Sequence, residues 1–123
     1  LIDKKYVSDD DYALILRRRR GETRIVASLG FGESSKSYKS QPIEIKKGKW
    51  NHITFTYDGR GEGRFYLNGK SVGKTVHEGV GALSHGKHPL VIGDRRGANY
   101  GGFAGFIDQI RIIEGKPVWL AEK

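Results

Sequence analysis

Four consecutive arginines, Arg17, Arg18, Arg19 and Arg20, are the densest group of functional side chains in this 123-residue sequence. Each guanidinium presents a planar fork that binds phosphate, sulfate or carboxylate through two hydrogen bonds. Because successive side chains of a strand point to opposite faces, the four cannot form one flat basic surface within a sheet. We therefore expect a basic finger that projects past the sheet edge. It either binds anions or is a solvated hairpin tip that discourages edge-to-edge association.

Three lysines, Lys46, Lys47 and Lys49, form a second basic group in the turn before the most regular strand pattern of the chain. The formal net charge of +8 favours anionic partners such as nucleic acid, acidic or sulfated glycan, lipopolysaccharide or a membrane surface. A lysine-rich surface that serves only solubility is the alternative. Specific nucleic-acid binding is not expected, because no recognition module matches and a bare basic patch gives only salt-sensitive attraction.

The segment DRRGANYGG, residues 94–102, combines charged, amide and phenolic side chains with glycines. An aromatic ring covers the apolar face of a sugar, while guanidinium and amide groups bind hydroxyls. Binding residues usually lie on loops held by a rigid sheet. We therefore predict a glycan-binding group consisting of Arg95, Arg96, Asn99 and Tyr100. The alternative is a long turn in which Asp94 caps neighbouring amides.

Carboxylates and histidines are present, but their spacing supports neither catalysis nor metal binding. Glycoside hydrolysis needs two carboxyl groups beside the same bond, whereas Glu44, Glu62, Glu78 and Glu114 lie apart and mostly in turns. No serine lies in a strained nucleophile elbow. Three of the four histidines fall within residues 77–88 among glycines, in a pattern that matches no zinc motif. We expect no enzyme activity, no metal and no cofactor.

Short strands and tight turns are the elements that must position these groups. From Trp50 to Tyr57, the apolar residues Ile53, Phe55 and Tyr57 alternate with polar ones, which predicts a half-buried strand over residues 50–57. The dipeptide Asn68-Gly69 predicts a type I′ turn into a further strand. Six more strands are predicted at residues 1–5, 12–16, 23–31, 41–45, 90–93 and 106–113, and a polar loop at residues 32–40.

The residue order in this stretch resembles the centre of laminin-G-like domains of the concanavalin A-like superfamily. It runs Trp50-x-His52, an alternating strand, Tyr57-Asp58-Gly59 and then Tyr66-x-Asn68-Gly69. The resemblance continues in LVIGD at 90–94, GFAGFID at 102–108 and QIRI at 109–112. It covers most of the chain, from Leu1 to about Trp119, and the last residues resemble copies found in bacteriophage structural proteins.

The resemblance implies an all-β fold: an antiparallel β-sandwich of jelly-roll type. A content of 37% hydrophobic residues with 18 glycines suits many short strands and turns. We expect residues 1–123 to form one laminin-G-like domain that is a fragment of a longer chain. Laminin-type members often offer an acidic residue to calcium at the turn that is basic here, so calcium is not expected. The predicted core contains Trp50, Ile53, Phe55, Phe65, Leu67, Ile92, Ile107 and Ile110.

Function does not follow from the fold, because this superfamily hosts lectins, adhesins, hydrolases and inert spacers. We expect a non-catalytic glycan-binding or adhesion module on a virion or another extracellular surface, with a glycan or acidic polysaccharide as partner. The alternative is a structural module: a capsid-decorating or tail-associated phage protein, or a spacer in a larger secreted protein. No apolar run approaches the length of a membrane span.

Laminin-G-like domains usually begin with one or two strands before the segment that matches Leu1. Those strands lie beside the final strand, here residues 106–113, whose backbone groups would otherwise be unpaired. We therefore expect the sandwich to be completed from outside Leu1–Lys123. Preceding residues of the same gene product, or a strand from a protein partner added by β-augmentation, would supply the missing pairing.

Overall fold

The computed structural model describes residues 2–5, 8–46, 48–93, 107 and 109–112. Eight strands are present in these ranges: β1 (Ile2–Asp3), β2 (Tyr12–Arg19), β3 (Glu22–Gly30), β4 (Ser35–Lys39), β5 (Ile53–Tyr57), β6 (Glu62–Leu67), β7 (Lys70–Val76) and β8 (Val91–Ile92). They form two antiparallel sheets, of order β4-β3-β2-β1-β8 and β5-β6-β7. The described residues include no helix that is long and apolar enough to cross a bilayer.

The hydrophobic core lies between the two sheets. Alternate residues of β3 supply one wall, and Phe65 of β6 meets them from the other sheet with no exposed surface. The ring centroids of Phe55 and Phe65 are 4.9 Å apart, a separation at which aromatic pairs attract beyond simple burial. Two sheets whose inner faces interdigitate in this way form a β-sandwich. The all-β, antiparallel sandwich that the sequence predicts is therefore confirmed.

The hairpin of β2 and β3 contains the four consecutive arginines. Its pairs run from Tyr12↔Leu29 to Arg19↔Glu22, so the strand continues through the first three arginines. Positive φ angles of 53° at Arg20 and 78° at Gly21 make the turn type I′. Because β1 pairs only with residues 13–14 and β4 only with residues 26–30, the hairpin end extends beyond both. The expected finger is thus a paired two-stranded ribbon.

Residues 32–40 are not the polar loop that the sequence predicts, because β4 occupies most of this range. Tyr38 of β4 is fully buried, and its hydroxyl donates a 3.0 Å hydrogen bond to the carbonyl oxygen of Gly61. The sequence SKSYK has one apolar ring among hydroxyl and ammonium groups, so no hydrophobic period marks it as a strand. Pairing with β3 and burial of this one ring define the element instead.

Two residues assigned to the core by sequence are on the surface. Trp50 is 70% exposed and Ile92 is 53% exposed. Trp50 precedes β5. In an extended chain its side chain points to the same side as that of His52, opposite to that of the inward-facing Ile53. Ile92 lies in the two-residue strand β8, which has one neighbouring strand, β1, among the described residues. Both predictions were wrong because burial depends on where a strand begins and ends and on which face of the sheet a side chain occupies, more than on how hydrophobic that side chain is.

Two predicted strands are not found among the residues that the structure describes. Residues 41–45 make only a single bridge, between Thr23 and Ile43. Of the predicted final strand, the structure describes 107 and 109–112, which are not in a strand, with Ile107 and Ile110 half-buried. Completion of the sandwich beside this segment stays a prediction.

Candidate functional site

The segment from Gln41 to Lys46 connects the edges of the two sheets. The backbone amide of Ile43 donates to the carbonyl of Thr23 in β3, and that of Gln41 donates to the carbonyl of Val72 in β7, both at 2.8 Å. Side chains alternate along it: Ile43 and Ile45 are half-buried, whereas Glu44 and Lys46 are exposed. The segment therefore forms a ridge between two clefts, and Glu44 lines both of them.

The first cleft, called the Trp50 cleft below, has a volume of about 400 Å³. Its lining combines an exposed indole and an apolar wall with three ammonium groups, one carboxylate and two amides. The indole makes no ring contact with any other described residue. The lining residues are Glu44, Lys46, Lys49, Trp50, Asn51, Leu67, Asn68, Lys70 and Val72.

Two asparagine side chains hold the walls of the Trp50 cleft in place. The Nδ2 atom of Asn51 lies 3.1 Å from the carbonyl oxygen of Lys49 and 3.4 Å from that of Lys46, so it ties the lysine turn together. Asn68 accepts a 2.8 Å hydrogen bond from the amide of His52 at Oδ1. With φ angles of 51° and 82°, Asn68 and Gly69 form the predicted type I′ turn. The cleft is therefore built on hydrogen-bonded backbone.

The second cleft, called the Arg18 cleft, has a volume of about 410 Å³ and lies between the arginine hairpin and the ridge. Arg18 shares strand parity with Leu14 and Leu16, so it faces inward but lies beyond the packed core. Two carboxylates accompany it, those of Glu22 and Glu44. The lining residues are Arg18, Gly21, Glu22, Thr23, Pro42, Ile43, Glu44 and Ile45.

The charges of the arginine hairpin, residues 17–24, are mostly uncompensated. Arg17 lies directly opposite Arg24 across the strand pair, on the face away from the core. Arg24 approaches Glu22 at 3.7 Å, but none of the four consecutive arginines forms an ion pair within the part of the chain that the structure describes. Like charges directly opposite each other repel. The hairpin therefore carries a concentrated positive potential available to an anion.

The predicted basic residues fall into two groups in space. Lys46 and Lys49 line the Trp50 cleft with Lys70, which sequence analysis did not select. Arg18 lines the neighbouring cleft, and Glu44 lies between the two groups. Lys47 lies outside the described residues, as do all four members of the predicted glycan-binding loop, Arg95, Arg96, Asn99 and Tyr100.

Two other polar side chains, those of Asp11 and His77, are held by hydrogen bonds within the fold. Asp11, at the opposite end of β2 from the arginines, is 4% exposed and accepts hydrogen bonds from Lys4 Nζ and from the amide of Gly86, both at 2.8 Å. His77 Nε2 lies 2.8 Å from the carbonyl oxygen of Ser37, and its ring packs edge-on against Tyr38. Among described residues, no three histidine, aspartate or glutamate side chains converge as metal ligands would.

Comparison with known proteins agrees with this architecture. The family model described as the concanavalin A-like lectin/glucanases superfamily, of laminin G type, matches residues 2–116. No curated protein and no solved structure matches the sequence. The matched range contains both sheets and both clefts, and it confirms the resemblance seen in the Trp50-x-His52 and Tyr66-x-Asn68-Gly69 motifs. The chain belongs to the concanavalin A-like lectin/glucanases superfamily.

Proposed function

We propose that this domain is a non-catalytic carbohydrate-binding module and that the Trp50 cleft is its glycan site. The observation that carries the proposal is the 70% exposure of the indole in a cleft that also contains ammonium, carboxylate and amide groups. A large aromatic side chain left in water forgoes the stabilisation that burial would give it. An exposed ring bordered by polar groups is a frequent feature of binding surfaces.

The groups around the indole suit a sugar. Its flat face accepts the apolar face of a pyranose ring, with Leu67 and Val72 extending the apolar wall. Asn51, Asn68 and Glu44 offer donors and acceptors to hydroxyl groups at the rim. The turn that carries Asn68 is fixed by hydrogen bonds, so little ordering is needed on binding.

The segment at residues 94–102 is the second proposed contact region, and we expect it to act together with the Trp50 cleft. Arg95, Arg96, Asn99 and Tyr100 retain the predicted role of sugar contacts there. The setting we propose is a virion or another extracellular surface, where a small module without a catalytic carboxylate pair provides adhesion. A purely structural module is the competing function.

A glycan array tests the proposal with the wild-type domain and three variants. Trp50→Ala should abolish binding, whereas Trp50→Phe should retain part of it, because a smaller ring still stacks. Tyr100→Ala is the matched variant for the loop. Loss of binding in Tyr100→Ala alone would move the site to the loop.

Two outcomes would overturn the proposal itself. Wild-type protein that is folded and binds no glycan would favour the structural module. Release of reducing sugar that is abolished by Glu44→Gln would show a hydrolase and not a binding module.

A further inference from the structure

We infer that the end of β2 is a docking edge for an extended, acidic strand of a protein partner. This docking edge consists of residues 16–19, which lie beyond the last residue of β2 that pairs with β1. The inference goes beyond the proposed function, because it concerns a protein partner and a part of the fold that does not line the Trp50 cleft. It follows from the hydrogen-bonding pattern of β2 and from the order of its side chains.

One side of β2 presents backbone groups to which the described strands offer no partner. The amide of Lys4 donates a 2.9 Å hydrogen bond to the carbonyl oxygen of Tyr12, and hydrogen-bonded pairs occur at every second residue of an antiparallel ladder. The residues of β2 that direct their backbone groups towards β1 are therefore Tyr12, Leu14, Leu16 and Arg18. The first two meet β1, whereas no strand within the described ranges pairs with Leu16 and Arg18 on this side.

Three successive residues of the docking edge are arginines, and their side chains point to both faces of the sheet. Arg17 and Arg19 lie on the outer face, and Arg18 lies on the inner face beyond the packed core. None of the three forms an ion pair in the part of the chain that the structure describes. An added strand has the same alternation, so three consecutive carboxylates would meet all three guanidiniums as cross-strand pairs.

The same alternation disfavours other polyanions. A nucleic acid or a sulfated glycan that lies on one face of the sheet reaches only the guanidiniums of that face. It also leaves the free backbone groups of the docking edge to water. An extended peptide offers N–H and C=O groups that continue the ladder, which is how β-augmentation supplies affinity.

The arginines also disfavour a second copy of this chain at the docking edge. An unpaired strand is prone to join the same strand of another molecule. If two of these edges paired, arginine side chains would lie beside arginine side chains, and like charges in such positions repel. The charge that keeps copies apart is the charge that an acidic strand neutralises, so attraction and selection have one source.

The register fixes the partner sequence that fits. An antiparallel partner strand runs in the direction of β1 and spans the four residues of the docking edge, about 14 Å. Its residues meet Arg19, Arg18, Arg17 and Leu16 in that order. The first three are acidic, and the fourth is apolar because the side chain of Leu16 is half-buried and packs against the core. The simplest matching sequence is Glu-Glu-Glu-Val.

Fluorescence anisotropy with labelled peptides tests the inference on the 123-residue chain. The probe is a peptide with blocked termini and the core Glu-Glu-Glu-Val, and the comparison peptide has the core Lys-Lys-Lys-Val. We expect the glutamate peptide to bind at least about tenfold more tightly at about 0.15 M salt.

N-methylated peptides separate backbone pairing from charge on the unaltered protein. The second glutamate lies opposite Arg18, so its amide would pair with the docking edge, whereas the amide of the third glutamate would point away. N-methylation of the second glutamate should therefore abolish binding. N-methylation of the third should leave most of it.

Charge reversal locates the site. Arg17→Glu combined with Arg19→Glu should reverse the preference, so that the variant binds the lysine peptide and not the glutamate peptide. Arg60→Glu combined with Lys87→Glu changes the net charge by the same amount at two exposed positions outside the docking edge, and it should preserve the preference. Thermal melting shows whether each variant is folded.

Equal binding of the two N-methylated peptides would overturn the inference, because charge alone would then hold the peptide. No binding of the glutamate peptide, or tighter binding of a heparin fragment or single-stranded DNA, would also overturn it. So would a dimer that dissociates when Arg17 and Arg19 are changed. Loss of peptide binding in a longer form of the gene product would assign the docking edge to the same chain and not to a partner. None of these outcomes affects the glycan-array test of the Trp50 cleft.

Discussion

Two aromatic residues close together in the sequence have opposite environments. Phe65 lies in β6, the central strand of the three-stranded sheet, and its side chain is completely buried against the other sheet. Trp50 lies three residues before β5 and is 70% exposed in a cleft lined by lysines. The three-stranded sheet therefore has two separate roles. Its inner face holds the core, and the ends of its strands carry the site.

The core half of this comparison predicts the largest effect. Phe65→Ala should lower the free energy of unfolding by about 3–5 kcal/mol, because a fully buried ring leaves a cavity between the sheets. Chemical denaturation measures the change. Phe55→Ala, at a half-buried ring, should cost less. A loss below about 1 kcal/mol for Phe65→Ala would contradict the packing described here.

Alkaline pH should weaken the same core through Tyr38. Burial, with a smaller contribution from nearby Tyr57, raises the pKa of the Tyr38 hydroxyl from 10.0 to about 12. The pKa in the unfolded chain is lower, so this stabilisation is complete below pH 10 and is lost as pH rises towards about 12. The loss amounts to about 2–3 kcal/mol once both states are ionised.

Tyr38→Phe is the matched variant for this titration. Its free energy of unfolding should lie below that of wild type at pH 8, because the hydrogen bond to Gly61 is absent. The wild-type value should then fall towards and below it between pH 10 and pH 12. Parallel curves for the two proteins over this range would show that Tyr38 ionises normally.

Gly63 of β6 tests how closely the aromatic rings pack. A Cβ atom there would lie 2.6 Å from Cδ2 of Tyr38 and 2.7 Å from Cε1 of Phe55, which is closer than such atoms approach. Gly63→Ala should therefore cost about 1–3 kcal/mol through overpacking. Gly81→Ala is the control, because among the described residues a Cβ atom there would meet only the carbonyl oxygen of Gly59, at 4.0 Å. Equal melting temperatures for the two variants would refute this close packing.

The surface half of the comparison predicts the smallest effect on stability. Trp50→Ala should change the free energy of unfolding by less than about 0.5 kcal/mol, because the ring is mostly in water and makes no ring contact with described residues. Denaturation under the conditions used for Phe65→Ala gives the direct contrast. A loss similar to that of Phe65→Ala would place the indole in the core, as sequence analysis predicted.

The fold was predictable where apolar residues alternate regularly and the flanking residues are typical of turns. Alternation predicts a strand over residues 50–57, and β5 begins three residues later, at Ile53. The Asn68-Gly69 turn between β6 and β7 is confirmed. β4 was missed because Tyr38 is its only apolar residue, and the strand forms through pairing with β3. Strand propensities are local properties of the sequence, so they cannot predict pairing between residues that are far apart in the chain.

The candidate site was predictable only in part. The lysine turn was selected for its charge, and two of its members, Lys46 and Lys49, do line a cleft. Trp50 was assigned to the core from the strand pattern and the family resemblance, although it alternates in step with the polar His52 and not with Ile53. Glu44 and Lys70 carried no signal, because their importance comes from the ridge at residues 41–46 and from β7 meeting in space.

Chemical-shift mapping of the isotope-labelled domain during titration with a glycan from the array tests whether the glycan binds in the Trp50 cleft. The sequence contains two tryptophans, so Trp50→Phe assigns the indole N–H signal. We predict that this signal shifts together with the side-chain amide signals of Asn51 and Asn68. Shifts confined to Asn99 and Tyr100, with the Trp50 indole unaffected, would contradict it.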